Sequence, residues 1–223
     1  MKNRLNQRLA LLTAAAAAAG LLLASVQSGF SASSMKMNFV THAAFFSAET
    51  KQPKTIDPQV FVEDASAQAT MGPQGIKHDA GVRPALIDQD AKTSKLFNAE
   101  HKPLGFDLNA WLSATGTVTI TDRGGKVTLE ATFKGLQPNA SYSLFENHFD
   151  TTPISFTPID ETGKTNSFIT KSDGSASVSV MMRSVPTHAN AVLLVYNSGG
   201  QPHGVERGHI GVDAHHQLIA RPE

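Results

Sequence analysis

From Leu104 onward, apolar and polar residues alternate with a period of two, and almost nowhere with the period of a helix. The stretch "GTVTIT-DRGG-KVTLEATF" predicts a hairpin. Val118 and Ile120 alternate with threonines, and Val127, Leu129, Ala131 and Phe133 line one face of the return strand. A second hairpin is expected in "NSFIT-KSDG-SASVSVMM", with Asp173 and Gly174 as its turn. There the tandem Met181 and Met182 divide between core and rim. "AVLLVYN" is apolar almost throughout, the pattern of a central strand covered on both faces, and "HQLIA" supplies a last strand. The exception is "GFDLNAWL", which reads as one short helix. Asp107 is its N-cap, and Phe106 at N′ faces Trp111 at N4 as a hydrophobic staple. Short strands, polar turns and little helix predict an all-β fold over 104–223: an antiparallel Greek-key, immunoglobulin-like β-sandwich with one short helix.

Upstream the pattern weakens. "SAETKQPKTIDPQ" is polar and broken by prolines, and "SAQATMGPQGIKHDAGVRP" carries turn formers throughout. Only "VFVED" and "ALID" are β-prone. Residues 34–103 are therefore expected as an irregular, weakly structured N-terminal arm or as edge strands.

The first residues follow another logic. Lys2, Arg4 and Arg8 precede an apolar run from Leu9 to Ala24, and small residues follow at Ser28, Ser31, Ala32 and Ser33. That order predicts a signal peptide over 1–33 and a periplasmic or secreted protein. The alternative is an uncleaved anchor, since Leu9 to Val26 approaches the ~20 residues of a spanning helix. No later stretch is long and apolar enough to span a membrane, so none is expected after signal cleavage.

The whole chain holds 19 basic and 19 acidic residues; without the leader 16 basic remain against 19 acidic, about −3. A mildly acidic domain lacks the electrostatic footprint of a nucleic-acid binder. The chain has no cysteine, which excludes disulfides, thiolate zinc sites and cysteine nucleophiles. Nucleophile-elbow and phosphate-loop patterns are absent, so no catalytic residues are assigned and a non-enzymatic role is favoured.

"GLQPNASYSL" spaces Leu136, Pro138 and Tyr142 as in the tyrosine corner of Greek-key sandwiches, where the tyrosine hydroxyl bonds back to the backbone of an arched crossover. Together with "LGFDLNAWLSATGTVTI", "SLFENHF", "SDGSASVSV", "VLLVYNSGGQPHG" and "IGVDAHHQL", these residues resemble a set of secreted bacterial single-domain β-sandwich proteins with no assigned function. The similarity covers roughly 104–220. More distantly, they resemble the CHRD and Cu,Zn superoxide dismutase sandwiches. The dismutase needs an H-x-H pair and a bridging histidine, whereas "SLFENHF" offers only His148 with Glu146. That similarity therefore implies no catalytic residues.

Four of the nine histidines fall in "QPHGVERGHIGVDAHHQL". If Ile210 to Ala214 continued a strand, His209 and His215 would stand about 20 Å apart, too far to share one ion. Asp213 and His215 share a face, and the glycines leave room for a turn that returns His203 or His209 to them. With His148 from a neighbouring strand, the candidate metal set is His148, His203, His209, Asp213 and His215, with zinc or copper as the ion. Met35 and Met37 near His42 form a softer candidate for Cu(I). The structural alternative has one of His215 and His216 buried, neutral and hydrogen-bonded, fixing the final strand. The favoured function is an exported binding or interaction module for a protein or small-molecule ligand. Its rivals are a metal-binding protein or metal-dependent enzyme, and a cell-envelope structural protein.

Overall fold

A computed structural model describes residues 32–223. The leader expected over 1–33 thus lies outside the described residues but for its last two. The chain is mostly strand, and every strand pair is antiparallel.

The first sheet runs in the order β1 (Ser33–Asn38), β9 (Thr115–Arg123), β10 (Lys126–Lys134), β14 (Ala176–Met182). The expected hairpin between β9 and β10 is present, with Arg123 opposite Lys126. Its two turn residues, Gly124 and Gly125, both take positive φ (65° and 88°), which glycine adopts without a Cβ penalty. The alternation works as read: Val118, Ile120, Val127, Leu129, Ala131 and Phe133 are all buried. Met182 is buried and Met181 is exposed.

The second sheet runs in the order β12 (Ser155–Pro158), β11 (Ser141–His148), β15 (Asn190–Asn197), β16 (Ala214–Ala220), β2 (Val40–Thr41). The run "AVLLVYN" lies in its centre as β15, buried along its length. A further strand, β13 (Ser167–Ile169), pairs with the start of β11. The second expected hairpin is not formed, because β13 belongs to this sheet and β14 to the first. The Asp173–Gly174 turn instead carries the chain across from one sheet to the other. Register explains the choice: Ala176, Val178, Val180 and Met182 fall opposite Phe133, Ala131, Leu129 and Val127, so each apolar residue meets an apolar partner.

The inward faces of these two sheets contribute to one apolar cluster, with Leu129, Phe133 and Val180 on one side and Tyr142, Leu144 and Leu194 on the other. Tyr142 is fully buried, and its hydroxyl accepts the Gln137 N–H at 3.1 Å, the bond that the Leu136–Pro138–Tyr142 spacing implied. The expected helix is present as α2 (Leu108–Leu112). Asp107 accepts the Ala110 N–H at 2.9 Å, and the Phe106 ring stacks on Trp111 with centroids 5.9 Å apart.

The main departure from expectation lies between 34 and 103. Expected as a weakly structured arm or as edge strands, this segment does supply edge strands, β1 to the first sheet and β2 to the second. It also carries the helix α1 (His42–Glu49) and most of a third sheet in the order β6 (Val82–Leu86), β3 (Ile56–Glu63), β7 (Lys95–Phe97), β8 (Pro103–Asp107). A small hairpin, β4 (Thr70–Met71) with β5 (Lys77–His78), completes it. Buried polar contacts join it to the rest. Asp57 accepts the Trp111 Nε1–H at 2.9 Å, and the Gln59 carbonyl accepts from His215 Nδ1 at 2.8 Å. Gln59 Oε1 accepts the His216 N–H at 2.6 Å, and Ala99 N–H donates to the Gly211 carbonyl at 2.7 Å. These groups are invisible to hydrophobic periodicity because they are polar and their partners are remote in sequence. No helix among the described residues is long and apolar enough to cross a membrane.

Candidate functional site

The five residues expected as metal ligands do not converge. Residues 210–213 do not continue a strand; the chain coils so that the His209 carbonyl accepts from the N–H groups of Val212, Asp213 and Ala214. Gly208 and Gly211, at φ 82° and 80°, permit the coil. It brings His203 Nε2 to 3.6 Å and His209 Nδ1 to 3.9 Å from the Asp213 carboxylate. His215 is held away from them, with Nδ1 donating to the Gln59 carbonyl and Nε2 3.1 Å from Ser198 Oγ. His148 is engaged on both nitrogens, by Asn190 Nδ2 at 3.0 Å and Thr157 Oγ1 at 2.9 Å. Among the described residues, no group of three or more His, Cys, Asp or Glu is placed to hold a metal ion. Met35 and Met37 pair opposite Ile120 and Val118 on β9, while His42 turns onto His216.

Both His215 and His216 are buried, where one was expected, because both faces of β16 are covered. A bulge explains the arrangement. Leu194 pairs with Leu218 and Val195 with His216, leaving Gln217 as the extra residue. His215 faces Trp111 and Tyr196 in the main core. His216 points to the outward face of the second sheet, where Phe145, Leu193, Val195, Ala214 and Ile219 form a separate apolar cluster.

Over that outward face lies a cavity of about 710 Å³, within the range of about 300–1,000 Å³ common to small-molecule sites. One wall is α1, begun by Thr41 Oγ1, which accepts the Ala44 N–H, and ended by Thr50, whose hydroxyl donates to the Phe46 carbonyl. The cap places His42 in the first turn, against the final strand, with its ring 4.9 Å from that of His216 and perpendicular to it. Phe45 and Phe46 follow on the same helix, and Phe149, Phe156, Ile76, Ile210, Pro153 and Ile154 supply the remaining apolar lining.

Several of the polar groups here are incompletely paired. Arg207 lays its guanidinium over the Phe156 ring, 3.1 Å from its centroid, and Nη1 donates to His216 Nε2 at 3.1 Å. A guanidinium only donates, so Nε2 is the accepting nitrogen and neutral His216 carries its proton on Nδ1. That Nδ1 has no partner, and neither do His42 Nδ1 or Asn147 Oδ1, all buried. Burial, reinforced by Arg207, lowers His42 to about 3. Burial also holds His216 well below its ordinary value, with His42 and Arg207 adding to the effect. Both rings are neutral at pH 7. Burial lowers Arg207 to about 10, so it stays a cation, and among the described residues it has no carboxylate partner. Glu49, on the same cavity, is met by Arg221 at 3.2 Å.

None of the five residues expected as metal ligands lines this cavity; His42, Arg207 and His216, which do, lie outside that set. The sequence marks His216 only as a strand residue, places His42 beside Met35 and Met37, and gives no signal at Arg207. The available signal is Phe45-Phe46 three residues after a histidine, just ahead of the polar stretch from Ser47, which alternation within strands does not register. The chain matches no family model, no curated protein and no solved structure.

Proposed function

We propose that the protein is an exported binding module that takes up a small molecule in the cavity between α1 and the outward face of the second sheet. The observation that carries it is a roomy apolar cavity whose buried polar atoms, His42 Nδ1, His216 Nδ1 and Asn147 Oδ1, lack partners. Leaving such groups unpaired costs about 1–3 kcal/mol each, and a bound molecule with complementary atoms offsets that. The two packed sheets are read here as a Greek-key, immunoglobulin-like sandwich. The crossing from β13 to β14 and the Tyr142 hydroxyl bond support that reading. Export rests on the basic, apolar, then small-residue order of 1–33.

The test uses a neutral fluorescent probe, N-phenyl-1-naphthylamine, titrated into the protein and into Ile210→Trp, which fills the cavity from its lining. Saturable one-site enhancement in the parent, lost in a folded Ile210→Trp, is the expected result. No saturable uptake, or uptake unchanged by filling the cavity, overturns the proposal.

A further inference from the structure

We infer that the cavity selects an anionic amphiphile: one carboxylate seated against the Arg207 guanidinium, on a flat apolar body held among the phenylalanine rings. This rests on the cavity being a binding site, and adds the chemical class of its occupant.

A guanidinium removed from water is costly unless it is paired or hydrogen-bonded on most of its N–H groups. Arg207 is half-buried, yet its contacts are a ring face and one neutral imidazole nitrogen. The ring face attracts the cation but accepts none of its N–H bonds. Five donors in a planar fork with one side-chain acceptor leave room for a bidentate carboxylate. Selection for a single negative charge follows from the surroundings. Arg221, the other cation on the cavity, is already taken by Glu49 at 3.2 Å and by the His188 carbonyl at 2.6 Å. A dianion would face Glu49 without a second free cation.

Neutral His42 and His216 add no charge, but the proton that Arg207 forces onto His216 Nδ1 makes a further buried donor. The apolar body is matched by aromatic walls. Phe45 and Phe149 pack with centroids 5.6 Å apart, and Phe46 and Phe156 flank the two histidines. Such rings favour a flat partner through offset or edge-to-face contacts.

The experiment displaces N-phenyl-1-naphthylamine with two competitors of nearly the same shape, naphthalene-2-carboxylate and naphthalene-2-methanol. It is run on the parent protein, Arg207→Gln and Arg207→Lys. A charge-assisted bond from Arg207 predicts that the acid competes about ten- to a hundredfold better than the alcohol in the parent. The preference should vanish in Arg207→Gln and survive in reduced form in Arg207→Lys, which keeps the charge but loses the fork. If Arg207→Gln does not fold, the parent and the lysine variant decide. Equal competition by acid and alcohol in the parent overturns the inference while the cavity proposal stands. An acid preference undiminished in the variants also overturns it, since the counter-charge then lies elsewhere. Failure of the neutral probe to bind at all defeats the cavity proposal itself.

Discussion

Acidification from pH 7 to pH 5 should destabilise this protein by an amount its buried groups set. Below pH 6.5 an unfolded histidine takes up a proton that folded His42 and His215 refuse until about 3 and about 4. The unfolded state then binds more protons, so stability falls as pH falls through that window. Weighted by proton uptake, each of the two removes about 2 kcal/mol between pH 7 and pH 5. His216, also lowered, acts in the same direction. Asp57 opposes them. Burial pushes its carboxyl up to about 6 despite the N–H donors of Gln59, Trp111 and Val60. The native state therefore takes up its proton first and gains about 1.3 kcal/mol over the same interval. Asp64, Asp90 and Asp173, held below the ordinary 3.8, contribute little above pH 5. Glu146, also raised by burial, opposes the histidines as well, and the net loss is about 2–3 kcal/mol. Urea unfolding at pH 7, 6 and 5, followed by the fluorescence of Trp111, the single tryptophan, measures it. Asp57→Asn, which removes the opposing uptake, should steepen the loss to about 4 kcal/mol. A midpoint that is constant or rises toward pH 5 would refute the assignment of these histidines as buried and neutral.

Three further outcomes follow from particular contacts. Gly174→Ala should destabilise by about 2 kcal/mol or more, because the position holds φ +72° and an added Cβ would overlap the Leu136 carbonyl oxygen; thermal unfolding checks it, and an unchanged midpoint counts against the crossover geometry. Tyr142→Phe removes the acceptor of the Gln137 N–H and should cost about 1–2 kcal/mol, with an unchanged urea slope showing that the fold is retained. Equilibrium dialysis with Zn²⁺ should find no stoichiometric tight site, since His215 and His148 are engaged and only His203 and His209 stand near Asp213; retention of one ion, lost in His203→Ala, would reverse this.

Local pattern made part of the fold legible. The β9–β10 hairpin combines alternation with a turn of two glycines, α2 has its cap and staple within six residues, and Tyr142 bonds a backbone group five residues back. Each is a short-range device. What stayed hidden was long-range and polar. Gln59 holds His216 across 157 positions, and Asp57 holds Trp111 across 54. Polar residues in a proline-broken stretch look like loop until their buried partners are known, and so 57–59 read as irregular. The candidate site was obscured for the same reason. His42 and His216 meet only because β2 pairs with β16, through Val40 opposite Ile219 and Thr41 opposite Leu218, and hands the chain directly to α1. The histidine cluster near the C-terminus was conspicuous, yet the coil at 208–213 and the bulge at Gln217 decide where each ring points.

The most direct test of the account is a crystal structure of the protein with naphthalene-2-carboxylate. It should show the ring among Phe45, Phe46, Phe149 and Phe156, with both carboxylate oxygens within hydrogen-bond distance of Arg207. A ligand bound elsewhere, or lying in the cavity with its carboxylate turned away from Arg207, would contradict it.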